Sequence, residues 1–314
     1  MKIGLFGFGC VASGVYESLI GKSELATIEK ICVKNLKKKR NVPAYLFTGD
    51  PDDILEDDRL DVIIELIDDS EKALIYVKRA LEIGLPVISA NKKMIAENLE
   101  LLQEIQNYND TPFLYEGAVA GSIPILKLLN SHFKHQEIHS IRGILNGSTN
   151  YILSQMHEEQ IPFSTALKKA QKSGFAESDP TLDVSGMDIL YKSQLLTYHA
   201  FGPRVDSTNL KLSGIDRIPL EKIEEAKSRG QKIKLMAHIS RKENRLETSI
   251  EPVEINPKDA FFLIDNEFNA IEVESSLSGK HFYVGKGAGS LPTASAVLSD
   301  LQQLVYLNET KIPV

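Results

Sequence analysis

The chain has 314 residues and a formal net charge of −7, and 42% of its residues are hydrophobic while 25% are charged. This length suffices for two domains with buried cores, and the negative charge disfavours nucleic acid or an anionic membrane as the main partner. No apolar run approaches the ~20 residues that a membrane span needs, and the two cysteines imply no disulfide framework, so the expected location is the reducing cytoplasm.

The first half of the chain alternates strand-like runs with helical patterns. In the helical pattern at 71–84, for example, apolar residues recur every three or four positions. Strands that alternate with helices are typical of a parallel sheet covered on both faces, so we predict an α/β fold with an N-terminal Rossmann-type domain over residues 1–135. The strand-like runs are 2–6, 30–34, 60–66, 85–90 and 112–119.

A glycine-rich turn follows the first strand. Gly7, Gly9 and Ala12 have the order G-x-G-x-x-A between a strand and a helix, the context of a dinucleotide-binding turn. Gly7 permits the tight turn, Gly9 lets a pyrophosphate approach, and Ala12 allows close packing. Cys10 and Val11 complete the turn as candidate cofactor-binding residues, because N–H groups at a helix start can hold phosphate. A tight βα turn without a ligand is the alternative.

The end of the second predicted strand distinguishes the two nicotinamide cofactors. A NAD site carries an acidic residue there to bind the ribose hydroxyls, but here Lys34 is followed by a basic run at 37–40. A 2′-phosphate favours such cations, with Lys34 as the leading candidate, so we predict NADP in preference to NAD. A solvated basic turn is the alternative.

Lys92 follows the fourth predicted strand, with Asn91 before it and Lys93 after it. Ligands of parallel sheets bind at the carboxyl ends of the strands, so Lys92 can reach a reacting centre. Position alone leaves open the alternative of an ordinary surface lysine in the first turn of a helix.

The pattern changes after about residue 135. Helical patterns are followed by strand-like runs, which predicts a separate α+β domain with a largely antiparallel or mixed sheet over 136–288. A final helical pattern at 291–307 leads us to expect that residues 289–314 return to the first domain. The helical patterns lie near 148–158, 163–173, 185–201 and 218–229, and the strand-like runs are 139–145, 232–240, 245–255, 270–277 and 281–285.

An acidic stretch, FAESDPTLDVSGMDILYK, spans 175–192 and ends in a lysine. Ser185 and Asp188 have the spacing of a capping box, which predicts a helix that starts at Ser185. Asp188 and Lys192 then lie four residues apart on one helical face. A helix cap with an exposed ion pair is the simplest interpretation.

The direction of that face favours a functional site instead. At roughly 100° per residue, Asp188 and Lys192 share an arc with Leu195 and point inward. An inward ion pair carries a desolvation cost that stability alone rarely justifies, so the pair is a candidate functional site. The opposite, solvated side is predicted to carry Ser193, Gln194 and Thr197.

Three further carboxylates, Glu177, Asp179 and Asp183, precede this helix in a predicted loop that contains Pro180. Carboxylates in loops are usually solvated. A ligand with an ammonium group would need acidic partners, however, and the inward lysine could serve an oxygen that gains or loses a proton during hydride transfer.

Together these residues resemble the homoserine dehydrogenases, and the resemblance covers nearly the whole chain. Its most specific part is 144–192, which is far more specific than the glycine turn. The family interconverts aspartate 4-semialdehyde and homoserine with NAD(P)H, on the pathway to threonine and methionine. The matching motifs are GFGCVASGV (7–15), VIIELI (62–67), ISANKKMIA (88–96), YEGAVAGSIPI (115–125), ILNGSTNYIL (144–153), GFAESDPTLDVSGMDILYK (174–192) and GAGSLPTASAV (287–297).

The resemblance implies roles for the matching residues. Lys192 would be the general acid and base at the aldehyde or alcohol oxygen, and Asp188 would orient it. Glu177 and Asp183 would bind the substrate ammonium. Lys92 would lie between cofactor and substrate and share in the proton transfer.

The resemblance also implies the surroundings of the reactants. Gly147 and Ser148 would line the substrate pocket, and Gly287 and Gly289 would approach the nicotinamide end of the cofactor. A homodimer through the sheet of the second, substrate-binding domain is expected. A sodium ion would be bound, largely through backbone oxygens, by a loop that contains Glu116, Val119, Gly121 and Ile123.

The chain departs from the family pattern at Asp68 and Asp69, where Gly-Gly is frequent. Two acids near the path of the cofactor could weaken its binding, and they alone favour the alternative of a catalytically impaired NADP-binding sensor. The sequence also ends near residue 314, so we expect no C-terminal regulatory domain of the kind found in longer relatives and no threonine feedback through it.

Two other enzyme classes fit less well. A semialdehyde dehydrogenase that forms a thioester needs a nucleophilic cysteine in its substrate domain, but Cys10 and Cys32 both lie in the nucleotide domain. A zinc hydrolase is suggested by His132, His135 and His139, but they straddle a predicted change from helix to strand, so no single face presents all three.

Overall fold

The computed structural model describes residues 1–21, 24–202, 207–242 and 245–310, and the chain divides into two compact units. The first unit is discontinuous and consists of Met1–Ser122 and Gly289–Val314, while the second is Ile123–Ala288. The sequence prediction placed this boundary after residue 135. The structure has it earlier because a short helix at Ile125–Asn130 packs against the helix at Met187–Phe201 of the second unit.

The first unit is built on a six-stranded sheet. Its strands are β1 (Lys2–Phe6), β2 (Thr27–Cys32), β3 (Phe47–Thr48), β4 (Val62–Glu65), β5 (Val87–Ser89) and β6 (Phe113–Leu114). They lie in the order β3-β2-β1-β4-β5-β6, and every neighbouring pair is parallel. This order reverses between β1 and β4, as in dinucleotide-binding folds, and confirms the predicted Rossmann-type sheet.

The described residues that connect these strands form five α-helices. They are α1 (Cys10–Leu19), α2 (Asp52–Leu55), α3 (Ser70–Glu82), α4 (Lys92–Glu97) and α5 (Leu99–Asn109). All four residues of β4 are buried, as expected of a central strand that is covered on both faces. The carboxyl ends of β1, β4 and β5 therefore meet at one edge of a buried sheet, where such folds bind their ligands.

The second unit contains a mixed sheet. Its strands are β7 (Ile138–Ile144), β8 (Ser207–Leu212), β9 (Lys232–Lys242), β10 (Arg245–Ile255), β11 (Phe268–Ser275) and β12 (Gly279–Lys286). The order is β12-β11-β7-β9-β10-β8, and the neighbours are antiparallel except for the parallel pair β10 and β8. The predicted α+β unit with a mixed sheet is confirmed.

The helices of the second unit carry most of the candidate substrate residues. They are α6 (Ile125–Asn130), α7 (Gly147–Glu159), α8 (Phe163–Lys172), α9 (Thr181–Val184), α10 (Met187–Phe201) and α11 (Leu220–Ser228). The helix α7 packs against α8, β9 and β11, while α10 packs against α6, α9, β9 and β10. Both helices are therefore fixed by the sheet.

The last helix, α12 (Ser290–Thr310), completes the core of the first unit. Gly14 of α1 permits its close approach, because a Cβ at Gly14 would lie 2.5 Å from Ser290 Oγ. The same hydroxyl donates to the carbonyl oxygen of Cys10 at 2.7 Å. The residues of α12 buried in the cluster that also contains Ile3, Leu5 and Val15 are Ala294, Val297, Leu301 and Leu304.

Three parts of the fold differ from the sequence prediction. The strand expected over 112–119 ends at Leu114, because Glu116–Ala118 forms a 3₁₀ turn instead. The helix expected from Ser185 begins at Met187 instead and follows a separate short helix, α9, because the chain turns at Gly186 with φ of 86°. Strands β3 and β8 were not predicted.

In the described residues, no helix combines the length and apolarity of a membrane span.

Candidate active site

A buried lysine–aspartate pair lies in the first half of α10. Asp188 and Lys192 are only 2% and 6% exposed, and Lys192 Nζ lies 2.7 Å from Asp188 Oδ2. The ammonium also donates to the carbonyl oxygen of Leu145, 2.7 Å away and directly after β7. The spacing of four residues therefore brings the two charges together, and both face the interior of the second unit.

The start of α10 is not the predicted capping box. Ser185 lies between α9 and α10, and Gly186, the residue before the first turn, provides no side-chain cap. A glycine is required there because its φ is positive and a Cβ would lie 3.0 Å from Leu212 Cδ1. Ser193 was expected on a solvated side but is buried, because α10 packs against α6 as well as against β9 and β10.

Asn146 connects the pair to a second carboxylate. Its Nδ2 donates to Asp188 Oδ2 at 2.9 Å and to Asp183 Oδ1 at 2.8 Å. Its Oδ1 accepts from the backbone N–H of Thr149 at 2.8 Å and thereby caps α7. Sequence reasoning missed this residue. The Asn-x-x-Thr start of a helical pattern indicated a cap at Asn146, but nothing local indicated its two carboxylate partners.

The first turn of α7 holds the next two predicted residues, Gly147 and Ser148. Gly147 lies against the backbone before β11, where a Cβ would be 2.7 Å from the carbonyl oxygen of Glu267. One turn further on, Asn150 Nδ2 donates to the carbonyl oxygens of Ile264 and Phe268, both at 3.1 Å. The amino end of α7 is therefore fixed to the segment that leads into β11.

Two of the loop carboxylates differ in their surroundings. Asp179 accepts from the N–H and the hydroxyl of Thr181, at 3.1 and 2.6 Å, so it starts α9 rather than facing a ligand. These hydrogen bonds lower the pKa of Asp179. Glu177 is exposed, and Gln171 Nε2 donates to its carbonyl oxygen at 3.0 Å, which fixes the backbone that carries it.

A second buried lysine, Lys234, lies near the start of β9. Its Nζ donates to Asn150 Oδ1 at 3.0 Å, to the Ile264 carbonyl oxygen at 2.6 Å and to Asp265 Oδ1 at 2.8 Å. The other oxygen of Asp265 pairs with Lys232 at 2.5 Å. Burial lowers the pKa of Lys234, although Asp265 opposes the shift. Sequence reasoning assigned no role to these residues.

In the first unit, the glycine-rich turn has the geometry of a phosphate cradle. Gly7 has φ of 90°, and a Cβ there would lie 2.6 Å from the carbonyl oxygen of Leu66, so only glycine fits. A Cβ at Gly9 would meet nothing within 4 Å, and no side chain caps α1. Cys10 is exposed and Ala12 is buried. The open space and uncapped N–H groups suit the pyrophosphate of a dinucleotide.

The basic residues after β2 are exposed, and Arg40 organises the turn they form. Arg40 Nη1 donates to the carbonyl oxygens of Asn35 and Lys38, both at 2.9 Å, and its guanidinium lies 5.0 Å from the ring centre of Phe47. Lys34 and the lysines at 37–39 project into solvent. The structure thus presents several ammonium groups on a turn that is held from within.

A buried carboxyl, Glu65, lies at the carboxyl end of β4. It accepts from Ser89 Oγ at 2.6 Å and from the N–H of Ile67 at 2.7 Å. Burial raises its pKa from the ordinary 4.5 to about 7, against the opposing effect of these hydrogen bonds. Sequence reasoning treated this residue only as part of a strand, because its burial depends on the neighbouring β5.

Lys92 and the unusual acidic pair follow the carboxyl ends of β5 and β4. Lys92 is half-buried at the start of α4, which Asn91 caps by accepting from the N–H of Met94 at 3.0 Å. Asp68 and Asp69 are exposed, and Asp69 caps α3 by accepting from the N–H of Lys72 at 3.1 Å. One of the two acids therefore has a structural function.

The predicted sodium loop and the two late glycines are placed as follows. Glu116 is buried, and its N–H donates to Asp300 Oδ2 at 2.9 Å. A Cβ at Gly287 would lie 1.8 Å from Asn269 Nδ2, and Gly289 has φ of 109°, so both positions require glycine. The other three residues of the loop, two buried and one glycine with φ of 54°, are Val119, Ile123 and Gly121.

The histidines and cysteines that suggested other enzyme classes are placed as follows. Among the described residues, no group of three or more His, Cys, Asp or Glu side chains could hold a metal ion, and the histidines at 132–139 form no such group. Cys10 and Cys32 are both free thiols, and burial raises the pKa of Cys32 to about 11. A buried thiol of this kind is a poor nucleophile.

Comparison with known proteins identifies one family that the chain resembles along most of its length. Residues 7–116 match the family described as "Homoserine dehydrogenase, NAD binding domain", and residues 124–302 match "Homoserine dehydrogenase". The homoserine dehydrogenase of Bacillus subtilis (strain 168) is 37% identical over 312 residues, which cover 96% of this chain and 72% of that protein.

Solved structures give the same result. A homoserine dehydrogenase from Thiobacillus denitrificans superposes with a TM-score of 0.93 at 32% identity and covers 100% of this chain and 76% of its own. The S. aureus homoserine dehydrogenase at pH 6.0 has a TM-score of 0.84 at 34% identity and covers 100% of this chain and 78% of its own. The alternative of an impaired sensor gains no support from these relatives.

Proposed function

The chain belongs to the homoserine dehydrogenase family, and we propose that it interconverts L-aspartate 4-semialdehyde and L-homoserine with NADP, on the route to threonine and methionine. The observation that carries the proposal is the hydrogen-bonded set of Lys192, Asp188 and Asn146, which are buried, and Asp183, which is half-buried. It combines a proton-carrying ammonium with a carboxylate for a cationic group. A substrate with an α-ammonium and a reactive oxygen needs both.

In this proposal each charged side chain has one task. Asp183 and Glu177 bind the substrate ammonium, and the first turn of α7, with Gly147 and Ser148, lines the pocket. The cofactor supplies or accepts a hydride when bound. Lys192 stabilises the negative charge that develops on the substrate oxygen and donates a proton to it, or removes one in the reverse direction.

Asp188 keeps the Lys192 ammonium oriented, since the two groups are 2.7 Å apart in a buried site. Lys92 shares in the proton transfer. The residues that would hold the cofactor are Gly7, Gly9, Cys10, Val11, Ala12, Lys34, Lys92, Gly287 and Gly289.

The preference for NADP rests on the turn after β2. No acid follows that strand, whereas Lys34 and the lysines at 37–39 offer ammonium groups to a 2′-phosphate. Because Arg40 already donates to two carbonyl oxygens of the turn, we assign the phosphate to the lysines.

Three further expectations belong to the same proposal. A homodimer forms through the sheet of the second unit, as the resemblance implies, and the protein acts in the cytoplasm, which its free thiols support. A sodium ion binds at the loop of Glu116, Val119, Gly121 and Ile123, since backbone oxygens and a buried carboxylate are ligands that a hard cation accepts.

The proposal is tested by following the absorbance of NADPH, and separately of NADH, with aspartate semialdehyde as substrate. We expect turnover with both, a higher kcat/KM with NADPH, and a decrease in kcat of about 10³-fold or more in Lys192→Ala. Lys169→Ala is the matched control, because Lys169 also pairs with a carboxylate, that of Glu159, but is exposed. Turnover by Lys192→Ala at the wild-type rate would exclude the mechanism.

A further inference from the structure

We infer that Asn146 is a positioning residue that links the ammonium-binding carboxylate of Asp183 to the catalytic pair of Asp188 and Lys192, an inference that rests on the proposed function. Asn146 is itself buried, and it lies between β7 and α7, whereas the two carboxylates lie on α9 and α10. The Asn146 side chain thereby fixes the distance between Asp183, which binds the substrate in this proposal, and Asp188, which orients the proton donor.

The hydrogen bonds of Asn146 determine the orientation of its amide. Its oxygen faces an N–H donor, that of Thr149, at 2.8 Å, so its nitrogen must face the carboxylates. That nitrogen has two hydrogens, and the two carboxylate oxygens at 2.8 and 2.9 Å take one each. The side chain therefore has no alternative rotamer that keeps all three bonds.

The charges explain why this site needs an amide. Both carboxylate oxygens lie within 2.9 Å of the same nitrogen, so the two acids are close neighbours. Lys192 pairs with Asp188 at 2.7 Å, and Asp183 brings a second carboxylate to the same amide. Two carboxylates this close together tend to share a proton, which would cost one of them its charge. Donation from Asn146 to both favours the fully ionised form, which alone binds an ammonium.

The alternative is that Asn146 only caps α7. Two substitutions separate the roles, because Ser and Asp cap helices about as well as Asn. Asn146→Ser keeps a cap but is too short to donate to both carboxylates. Asn146→Asp keeps the cap, removes the donors and adds a third negative charge. Thr149→Val is the matched control, since it removes the bond from the Thr149 hydroxyl to the Asn146 carbonyl oxygen, 3.1 Å long, and leaves the amide in place.

The experiment measures kcat/KM for homoserine oxidation from pH 5 to 9, together with the melting temperature. The groups whose titration is read are Asp183, Asp188 and Lys192, which the structure places around the amide. In Asn146→Ser we expect the acidic limb to move up by about one pH unit and KM for homoserine to rise about tenfold, because one carboxylate now retains a proton. In Asn146→Asp we expect a larger shift of the same sign.

The control variant shows whether a weakened helix cap alone can move the acidic limb of the pH profile. Thr149→Val is expected to lower the melting temperature and leave the acidic limb in place. If the limb stays at its wild-type position in both Asn146 variants, Asn146 is only a cap and the inference is wrong. A wild-type protein that does not oxidise homoserine would instead remove the proposed function, so the two failures are distinct. Should the Ser variant not fold, the Asp variant alone decides by the same shift.

Discussion

Two buried lysines of the second unit, Lys192 and Lys234, have similar partners but differ in the second charged group that joins each network. Each contacts an aspartate and a backbone carbonyl oxygen, and each belongs to a network that includes an asparagine of α7 or of its cap. Around Lys234, a second lysine, Lys232, shares the aspartate. Around Lys192, a second aspartate, Asp183, shares the Asn146 amide with Asp188.

This difference is the physical reason for proposing the Lys192 network, rather than the Lys234 network, as the substrate site. A cationic ligand is attracted by two carboxylates and one ammonium, and it is repelled by the reverse. Lys234 also donates three hydrogen bonds, the full number that an ammonium group has. Burial of a lysine is therefore not the sign of an active site by itself, and the surrounding charge decides.

The contrast between a catalytic Lys192 and a structural Lys234 would be wrong if Lys234 were also needed for catalysis. We expect Lys234→Met to lower the free energy of unfolding by about 1–3 kcal/mol, because it leaves Asn150 Oδ1 and the Ile264 carbonyl oxygen without their donor, while Asp265 keeps Lys232. Among molecules that remain folded, kcat should be close to that of the wild type. Urea unfolding and an assay normalised to the folded fraction measure both quantities.

Lys232→Met is the control for that variant, since Lys232 pairs with the same aspartate but is partly exposed. Lys232→Met should lower the free energy of unfolding by about 1 kcal/mol or less. A fall in kcat for Lys234→Met beyond the loss of folded protein would show that the two networks are not separate.

The proposed role of Asp183 beside the Lys192 pair is tested by Asp183→Asn. Removal of one charged hydrogen bond to the substrate ammonium is expected to cost about 1.5–3 kcal/mol, equivalent to a rise in KM for homoserine of roughly 10- to 100-fold. Initial rates against homoserine concentration measure the change. The control is Asp179→Asn, because Asp179 bonds Thr181 instead, and an equal rise in both variants would contradict the assignment of Asp183.

Glu65 of the first unit extends the comparison to a third buried titratable group. The hydrogen-bond donors to its carboxyl are a hydroxyl and a backbone N–H, whereas the two lysines contact carboxylates. Its pKa of about 7 in the folded state lies above the ordinary 4.5, so the folded protein holds the proton more tightly than the unfolded chain. Its contribution to stability is thus complete below pH 4.5 and is lost as pH rises to about 7, at about 1.4 kcal/mol per pH unit.

Glu65→Gln should remove this slope. The free energy of unfolding, measured by urea at several values between pH 5 and 8, is expected to fall with pH in the wild type more steeply than in the variant. Parallel curves for the two proteins would mean that Glu65 is already ionised across this range. In Ser89→Ala, which removes one donor to the carboxylate, the fall in stability should extend to higher pH than in the wild type, since that bond lowers the pKa of Glu65.

The parts of the fold that sequence patterns predicted are those that local geometry determines. The turn at Gly7 and Gly9 follows from the spacing of small residues after a strand, and the pairing of Asp188 with Lys192 follows from the pitch of a helix. The bridge from Asn146 to Asp183 joins residues far apart in the chain, so no local pattern contains it. Glu65 was missed for the same reason, since Ser89 of another strand completes its surroundings.

The predicted start of α10 at Ser185 was wrong for a different reason. Ser185 and Asp188 satisfy the capping pattern, but Gly186 adopts a positive φ between them. Tertiary packing fixed that turn, because the backbone at Val184 and Ser185 lies against Gly214, where a Cβ would be 2.1 Å from the Val184 carbonyl oxygen. A local pattern predicts what a segment can form, and its neighbours determine which option it takes.

The position of α12 in the core of the first unit has a consequence for how the chain is made. The second unit is one continuous stretch, so all its residues have left the ribosome while the last part of the nucleotide-binding unit is still inside it. Until Leu301 and Leu304 emerge, the apolar surface beside Ile3 and Val15 has no cover. We therefore expect the half that begins the polypeptide to acquire its native form after the half that follows it, the reverse of the usual order of synthesis.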